Sequence, residues 1–376
     1  MMNYNTVMRV GPLLCAPMAA FICSSVLAYP GPMRGTENIP KLMAESTLVC
    51  KGEVTEAEDV KISADPSPPH LTALATVHVD RCFKGEPETG EIVPVLFDGI
   101  LPHTAGPYVV LRKGDYRLFF LKPRDGKYIL ADNWFGDLPI SRRLGIAPDA
   151  DKDPMHQLEV DLKTGLQDAD PERVLDSIRM LGNMRHLRSA AELNALLDSR
   201  DPLVRTYVYE ALLRLRDYSV LPAVAQWLLA QPQAPHELLL PRDALFEMQY
   251  RLATEISQIR DPSTFQVLSR LLRHQDPIIR GEVLQAVRAI HSPQSADDLL
   301  RMLDDPSSDT AYSAMQGLIE ISDGKAIDWV PPLPVFRANP TYYAAHAYPV
   351  VSASHNMLWS VLAGWLGTVR LVRISL

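Results

Sequence analysis

The residues that could do chemistry in this 376-residue chain are few and scattered. Two cysteines, Cys50 and Cys82, sit in short apolar runs, and a pair of thiols on neighbouring strands can close a disulfide when their Cα atoms come within about 7 Å. Equally, each could be buried as a small hydrophobe. A metal would need convergent ligands, and His78 and His103 fall in the same region as Cys82 and Asp98. The remaining histidines are dispersed, with no His-Glu-x-x-His, Cys-x-x-Cys or His-x-His among them. A lone strand histidine is more often satisfied structure than ligand. Asp149, Asp151 and Asp153 alternate as calcium ligands do, but the run lacks the turn glycine and closing glutamate of a calcium loop. It reads better as solvated linker. There is no Gly-x-Ser-x-Gly elbow and no Gly-rich phosphate loop. No catalytic residue, cofactor or metal is therefore assigned, and the expectation is a protein without enzymatic activity.

The first 28 residues carry one Arg, an apolar run from Val10 to Leu27 and small residues before Tyr29, the layout of a secretory signal peptide cut after Ala28. Its loss removes Arg9 and takes the net charge from −8 to −9. An acidic chain without clustered Lys and Arg argues against a nucleic-acid partner. Export, to periplasm or medium and in contact with the envelope at most, places Cys50 and Cys82 where disulfides persist.

Residues 29–39 read as a linker. From 40 to 145 the apolar period is two: "TLVCKGEV", "ALATVHVDRCF", "EIVPVLF", "YRLFFLK" and "KYILADN" are five short strands separated by turn sequences. A small antiparallel barrel or sandwich follows. In the second strand Thr76, His78, Asp80 and Cys82 share one face, with Ala75, Val77, Val79 and Arg81 on the other. With Phe83-Lys84-Gly85 at a turn and Gly114-Asp115-Tyr116 opening a later strand, this segment resembles the netrin-like, OB-type barrels of secreted proteins. That family's metal-blocking amino terminus needs a cysteine, which is missing after Ala28.

Residues 146–167 read as an acidic linker, and from 168 to 325 the period becomes helical. Asp-Pro recurs at 170, 201, 276 and 305. Aspartate caps free amides and proline at the first helical position needs no donor, so each pair predicts a helix start. Pro202 and Pro277 are 75 residues apart, and that offset lays Val204, Val208, Ala211, Leu212 and Leu215 on Ile279, Val283, Ala286, Val287 and Ile290. Offsets of 30 and 28 extend the match to neighbouring units, with second helices between. The fold class is thus α+β multidomain, a β barrel followed by an α-solenoid. "RDPLVR" and "QDPIIR" resemble HEAT repeats of the short kind. The resemblance implies that Asp201 with Arg205, and Asp276 with Arg280, register adjacent repeats.

Residues 326–376 form an aromatic, Pro-rich cap and an apolar tail. Met357 to Val369 is too short to span a bilayer. It reads as a last docked helix, an amphipathic membrane contact or a tail altered by a frame error. A solenoid presents a groove, so the expected partner is a protein or peptide, with Tyr207, Tyr209, Arg214 and Trp227 as candidate contacts. The second reading is an inhibitor or accessory subunit of an extracellular hydrolase, acting through the barrel.

Overall fold

The computed structural model describes residues 38–62, 71–87, 91–99, 111–132, 135–145, 152–231, 244–321, 358–363 and 369–374. The signal-peptide segment, the linker before residue 38, the cap before residue 358 and His103 lie outside them. A short helix opens the described chain at the start of the segment expected to be all β: α1, Ile39–Glu45, capped by Asn38, whose side chain accepts from the Lys41 amide at 3.0 Å. Its carboxyl end is held by Lys84, which donates to the Met43 carbonyl at 2.7 Å.

Six strands follow: β1 Leu48–Ile62, β2 Leu71–Lys84, β3 Ile92–Gly99, β4 Tyr116–Arg124, β5 Lys127–Leu130 and β6 Asp137–Pro139. The order β1-β2-β3-β5-β4 closes through pairing of β4 with β1, giving a five-stranded barrel, while β6 extends the β4 edge beyond β5. Closure joins β3 and β5 in parallel; the other pairings are antiparallel. Alternation fills the barrel with Leu48, Cys50, Val54, Ala75, Val77, Val95, Phe119 and Leu121. Cys50 and Cys82 are paired across β1 and β2 and joined by a disulfide. Gly52 lies at a register shift in the same ladder, where a Cβ would come within 2.2 Å of the His78 carbonyl oxygen. Only glycine allows that approach.

The outer face of β4, with Val49 of β1, is also apolar. Val49, Tyr116, Leu118 and Phe120 point away from the barrel and share one continuous core with α1 and the helices that follow. The barrel is thereby fused to the array, and the stretch read as acidic linker supplies the joint. It contains α2, Pro154–Gly165, with Leu158 and Leu162 fully buried. Asp153, the last residue of the calcium-like run, caps this helix by accepting from the Met155 amide at 3.0 Å. Asp153-Pro154 is one more cap-and-proline pair, while Asp149 and Asp151 lie outside the described residues.

Helical hairpins follow: α3 Pro171–Asn183 with α4 Ala190–Asn194, α5 Pro202–Arg214 with α6 Leu221–Ala230, α7 Ala244–Ser257 with α8 Phe265–Leu271, α9 Pro277–Ile290 with α10 Ala296–Met302, and a last helix α11 Ser308–Ile321. Asp170, Asp201 and Asp276 cap α3, α5 and α9 as expected. The fourth marker differs. The helix begins at Ser308 rather than Pro306, and Asp305 instead accepts from the Ser307 amide at 2.8 Å and from an arginine of the preceding repeat. Each second helix is entered through a single 3-10 turn. The first helices α3, α5, α7, α9 and α11 pack side by side in an unbroken row. In the tail, Leu358–Ala363 (β7) and Val369–Ile374 (β8) pair antiparallel, so strands stand where a last helix was one reading.

Candidate functional site

Two groups of charged side chains stand out, one within the array and one where it meets the barrel. On α5, Tyr207, Glu210 and Arg214 are spaced by three and four residues and therefore share a face. Arg251 and Glu255, four apart on α7, meet them. Arg214 donates to Glu210, to Glu255 at 2.8 Å and to Asn183 of α3 at 2.9 Å. Arg251 donates to Glu210 at 2.8 Å, and its guanidinium lies over the Tyr207 ring at 4.3 Å. Burial pushes the Glu255 carboxyl above the usual range, against the pull of Arg214. Farther along the row, Arg288 of α9 donates to Glu320 of α11 at 2.6 Å. The ladder holds successive first helices in register and leaves a polar, aromatic face.

Arg214 is not the exposed contact expected from the sequence. Its side chain is only 12% exposed and is committed to the ladder, whereas Arg251 keeps 24% in solvent beside Tyr207. Tyr209, two positions from Tyr207, lies about 200° away around the helix, and both rings pack partly buried against the core. Trp227 belongs to the second-helix row and is likewise half-buried against the core. Of the four, the structure gathers only Tyr207 and Arg214. The residue the sequence reading missed is Arg251, whose signal was a cation spaced four residues before Glu255.

Of the two arginines expected to register the repeats, Arg280 reaches the next repeat and Arg205 has a partner six residues away. Arg280 makes a two-pronged pair with Asp305 of the next repeat at 2.6 and 2.7 Å, and donates to the carbonyls of His274 and Gln275. Asp276 accepts from the Ile278 amide at 2.9 Å, and Asp201 from Leu203 at 2.8 Å. Arg205 donates to the Ser199 carbonyl.

At the joint, Lys51 of β1 and Arg81 of β2 stand opposite one another on the outer face. Like charges so placed repel, and an anion must lie between them. Asp161 of α2 fills that role: it meets Lys51 Nζ at 2.7 Å and Arg81 at 2.7 Å, and accepts from the Gly145 amide at 2.6 Å. Lys51 and Asp161 have no exposed side-chain surface. Lys51 also donates to the Arg143 carbonyl at 2.6 Å. Desolvation lowers the Lys51 pKa, partly offset by its hydrogen bond to Asp161. Beside it, Arg142 stacks on Tyr116 at 4.5 Å and pairs with Glu53 at 2.7 Å, while burial drives the Tyr116 phenol upward.

His78 is exposed on the outside of β2, with Asp80 and Glu91 at 3.5 and 3.7 Å. Cys82 is tied up in the disulfide, so it offers no thiolate to His78. Among the described residues no group of three or more His, Cys, Asp or Glu has a geometry that could hold a metal ion.

A closed barrel followed by stacked helical hairpins defines the class, a β module fused to an α-solenoid. Residues 234–319 match the family model of HEAT repeats. No match is found among curated proteins. Solved structures that resemble the array include the complex of CpcE and CpcF of phycocyanin lyase from Nostoc sp. PCC7120, 16% identical over 49% of this chain and 70% of that one, with a TM-score of 0.34. A designed armadillo repeat protein in complex with the peptide (KR)4 is 14% identical over 44% of this chain and 82% of that one, TM-score 0.30. An engineered protein is 19% identical over 45% and 81%, TM-score 0.32.

Proposed function

We propose that this chain is an exported, non-catalytic scaffold that binds another protein or a peptide along the first-helix row of its solenoid. The observation that carries the reading is the Tyr207–Arg251 stack. It is a flat aromatic surface topped by a cation, partly open to solvent and fixed from behind by Glu210, in the middle of an unbroken row of helices. Aromatic and arginine side chains held rigid in this way are the anchors that dominate protein interfaces. Export is supported by the leader-like first 28 residues and by the Cys50–Cys82 disulfide, a bond that persists in oxidising compartments. The barrel, welded on by Asp161, serves as a rigid accessory.

The test is site-specific photocrosslinking in the exported full chain. A benzophenone amino acid replaces Tyr207 on the first-helix row, Gln226 on the second row or His78 on the barrel. Crosslinks to one defined protein from position 207 alone support the reading. Crosslinks to a hydrolase from position 78 alone would move function to the barrel and favour an inhibitor or accessory role.

A further inference from the structure

The disulfide and the joint between barrel and array are neighbours in one ladder. Cys50 with Cys82 and Lys51 with Arg81 are consecutive pairs of β1 and β2. Side chains alternate along a strand, so the bond faces the barrel core while the two cations face α2. Register shifts fall on both sides of these two pairs, between Val49 and Cys50 and between Lys51 and Gly52. Such irregularities disrupt a ladder locally, so backbone pairing alone holds this piece weakly.

The two strands are not equally secured. β1 pairs without interruption with β4 from Leu48 to Glu53. β2 loses its other neighbour early, because its contact with β3 ends at His78 and Val79. Beyond that point β1 is its one strand partner among the described residues. Yet this end of β2 makes the contacts that tie the barrel to the helices. Arg81 meets Asp161 of α2 at 2.7 Å, Phe83 is buried in the core shared with the array, and Lys84 donates to the Met43 carbonyl of α1 at 2.7 Å. The Cys50–Cys82 bond is the covalent tie between this end and the secured strand.

We propose that Cys50 and Cys82 form a redox switch for the joint. The bond locks the end of β2, from Arg81 to Lys84, onto α1 and α2; in the dithiol state that end lets go, while Lys51, held through β4, keeps Asp161. The locking step is thiol–disulfide exchange with a disulfide oxidant. Cys82 keeps some surface in solvent where Cys50 keeps almost none, so its thiolate attacks the oxidant, forming a mixed disulfide and releasing one thiol. The Cys50 thiolate then attacks the Cys82 sulfur and expels the second. Two electrons pass to the oxidant, and its two thiols carry off the two protons. The switch concerns the joint and is independent of what the first-helix row binds.

The first test is hydrogen exchange on the full chain with and without a dithiol reductant. Reduction should speed exchange in peptides covering Asp80–Gly85 and Ile39–Glu45 and leave β3 and β4 as they were. The second is the equilibrium of the bond against glutathione. Coupling between two sites is reciprocal and commonly roughly 5–150-fold, so Arg81→Gln should move that equilibrium about tenfold toward the dithiol, and Arg81→Lys, which keeps a charge beside Asp161, by less. Unchanged exchange at Asp80–Gly85, equal loss of protection in every strand of the barrel, or an equilibrium unmoved by Arg81→Gln overturns the proposal. Should that variant fail to fold, exchange on the unaltered chain decides.

Discussion

Replacing Asp161 by Asn keeps its shape and removes its charge, leaving Lys51 and Arg81 face to face at the barrel–array joint. Removing one partner of a buried ion pair costs about 3–5 kcal/mol, because the remaining charge is stranded away from water. Lys51 is wholly enclosed and Arg81 is 21% exposed, so the stranded charge is the lysine, and the upper part of that range applies. The double variant Lys51→Met, Asp161→Leu removes both buried charges. Replacing a whole buried pair by apolar groups is often neutral or better, so this variant should lie within about 1–2 kcal/mol of the parent. Urea unfolding followed by tryptophan fluorescence measures both. The pH dependence gives a second reading. A lysine whose folded pKa is lowered binds its proton less readily than in the unfolded chain, so stability rises with pH from the lowered value up to about 10.5. Lys51→Met should abolish that rise. If Asp161→Asn costs less than about 1 kcal/mol, or the double variant is no better than the single one, the joint is not held by this cluster.

Further outcomes follow from the same kind of argument. Gly182→Ala improves helix propensity by about 1 kcal/mol, yet its Cβ would lie 2.7 Å from Ala211 Cα on the facing helix; backbone contact wins, and thermal denaturation should show a net loss of about 1–3 kcal/mol. Reducing or deleting the Cys50–Cys82 bond, which spans 32 residues, should lower stability by about 3–4 kcal/mol in calorimetry under oxidising and reducing conditions. Arg214→Leu deprives the buried Glu255 of its counter-charge and raises its pKa further. Ionising that carboxylate then costs folding stability as pH rises through the raised value, so the variant should be relatively more stable at acid than at neutral pH. Asp153→Ala should cost about 1 kcal/mol by uncapping α2, measurable by chemical denaturation.

Much of the architecture could be read from period and punctuation. The alternation up to residue 145, the helical spacing from residue 168, and the Asp-Pro pairs at 170, 201 and 276 place the strands and these helix starts because caps and periods are local. The joint was harder, although its signals were present. Asp153-Pro154 is the same pair, hidden in an acidic run, and "YRLFFLK" is apolar on both faces, as a strand buried on two sides must be. Asp305-Pro306 misled differently: Asp305 accepts from the Ser307 amide as the other aspartates do, yet the helix starts only at Ser308, and the same carboxylate pairs with Arg280, a partner 25 residues away that no local rule reveals. At the candidate site Tyr207 was legible as an aromatic on a helix. Helix geometry separates it from Tyr209, and only packing shows that Arg214 is enclosed in the ladder while Arg251, also paired with Glu210, keeps more of its side chain in solvent.

Hydrogen exchange on the full chain, alone and with the protein crosslinked from position 207 supplied in excess, tests the central claim most directly. The account predicts new protection on peptides covering Pro202–Arg214 and Ala244–Ser257, with the barrel strands unchanged. Protection confined to the strands of the barrel, with both helices exchanging as before, would contradict it.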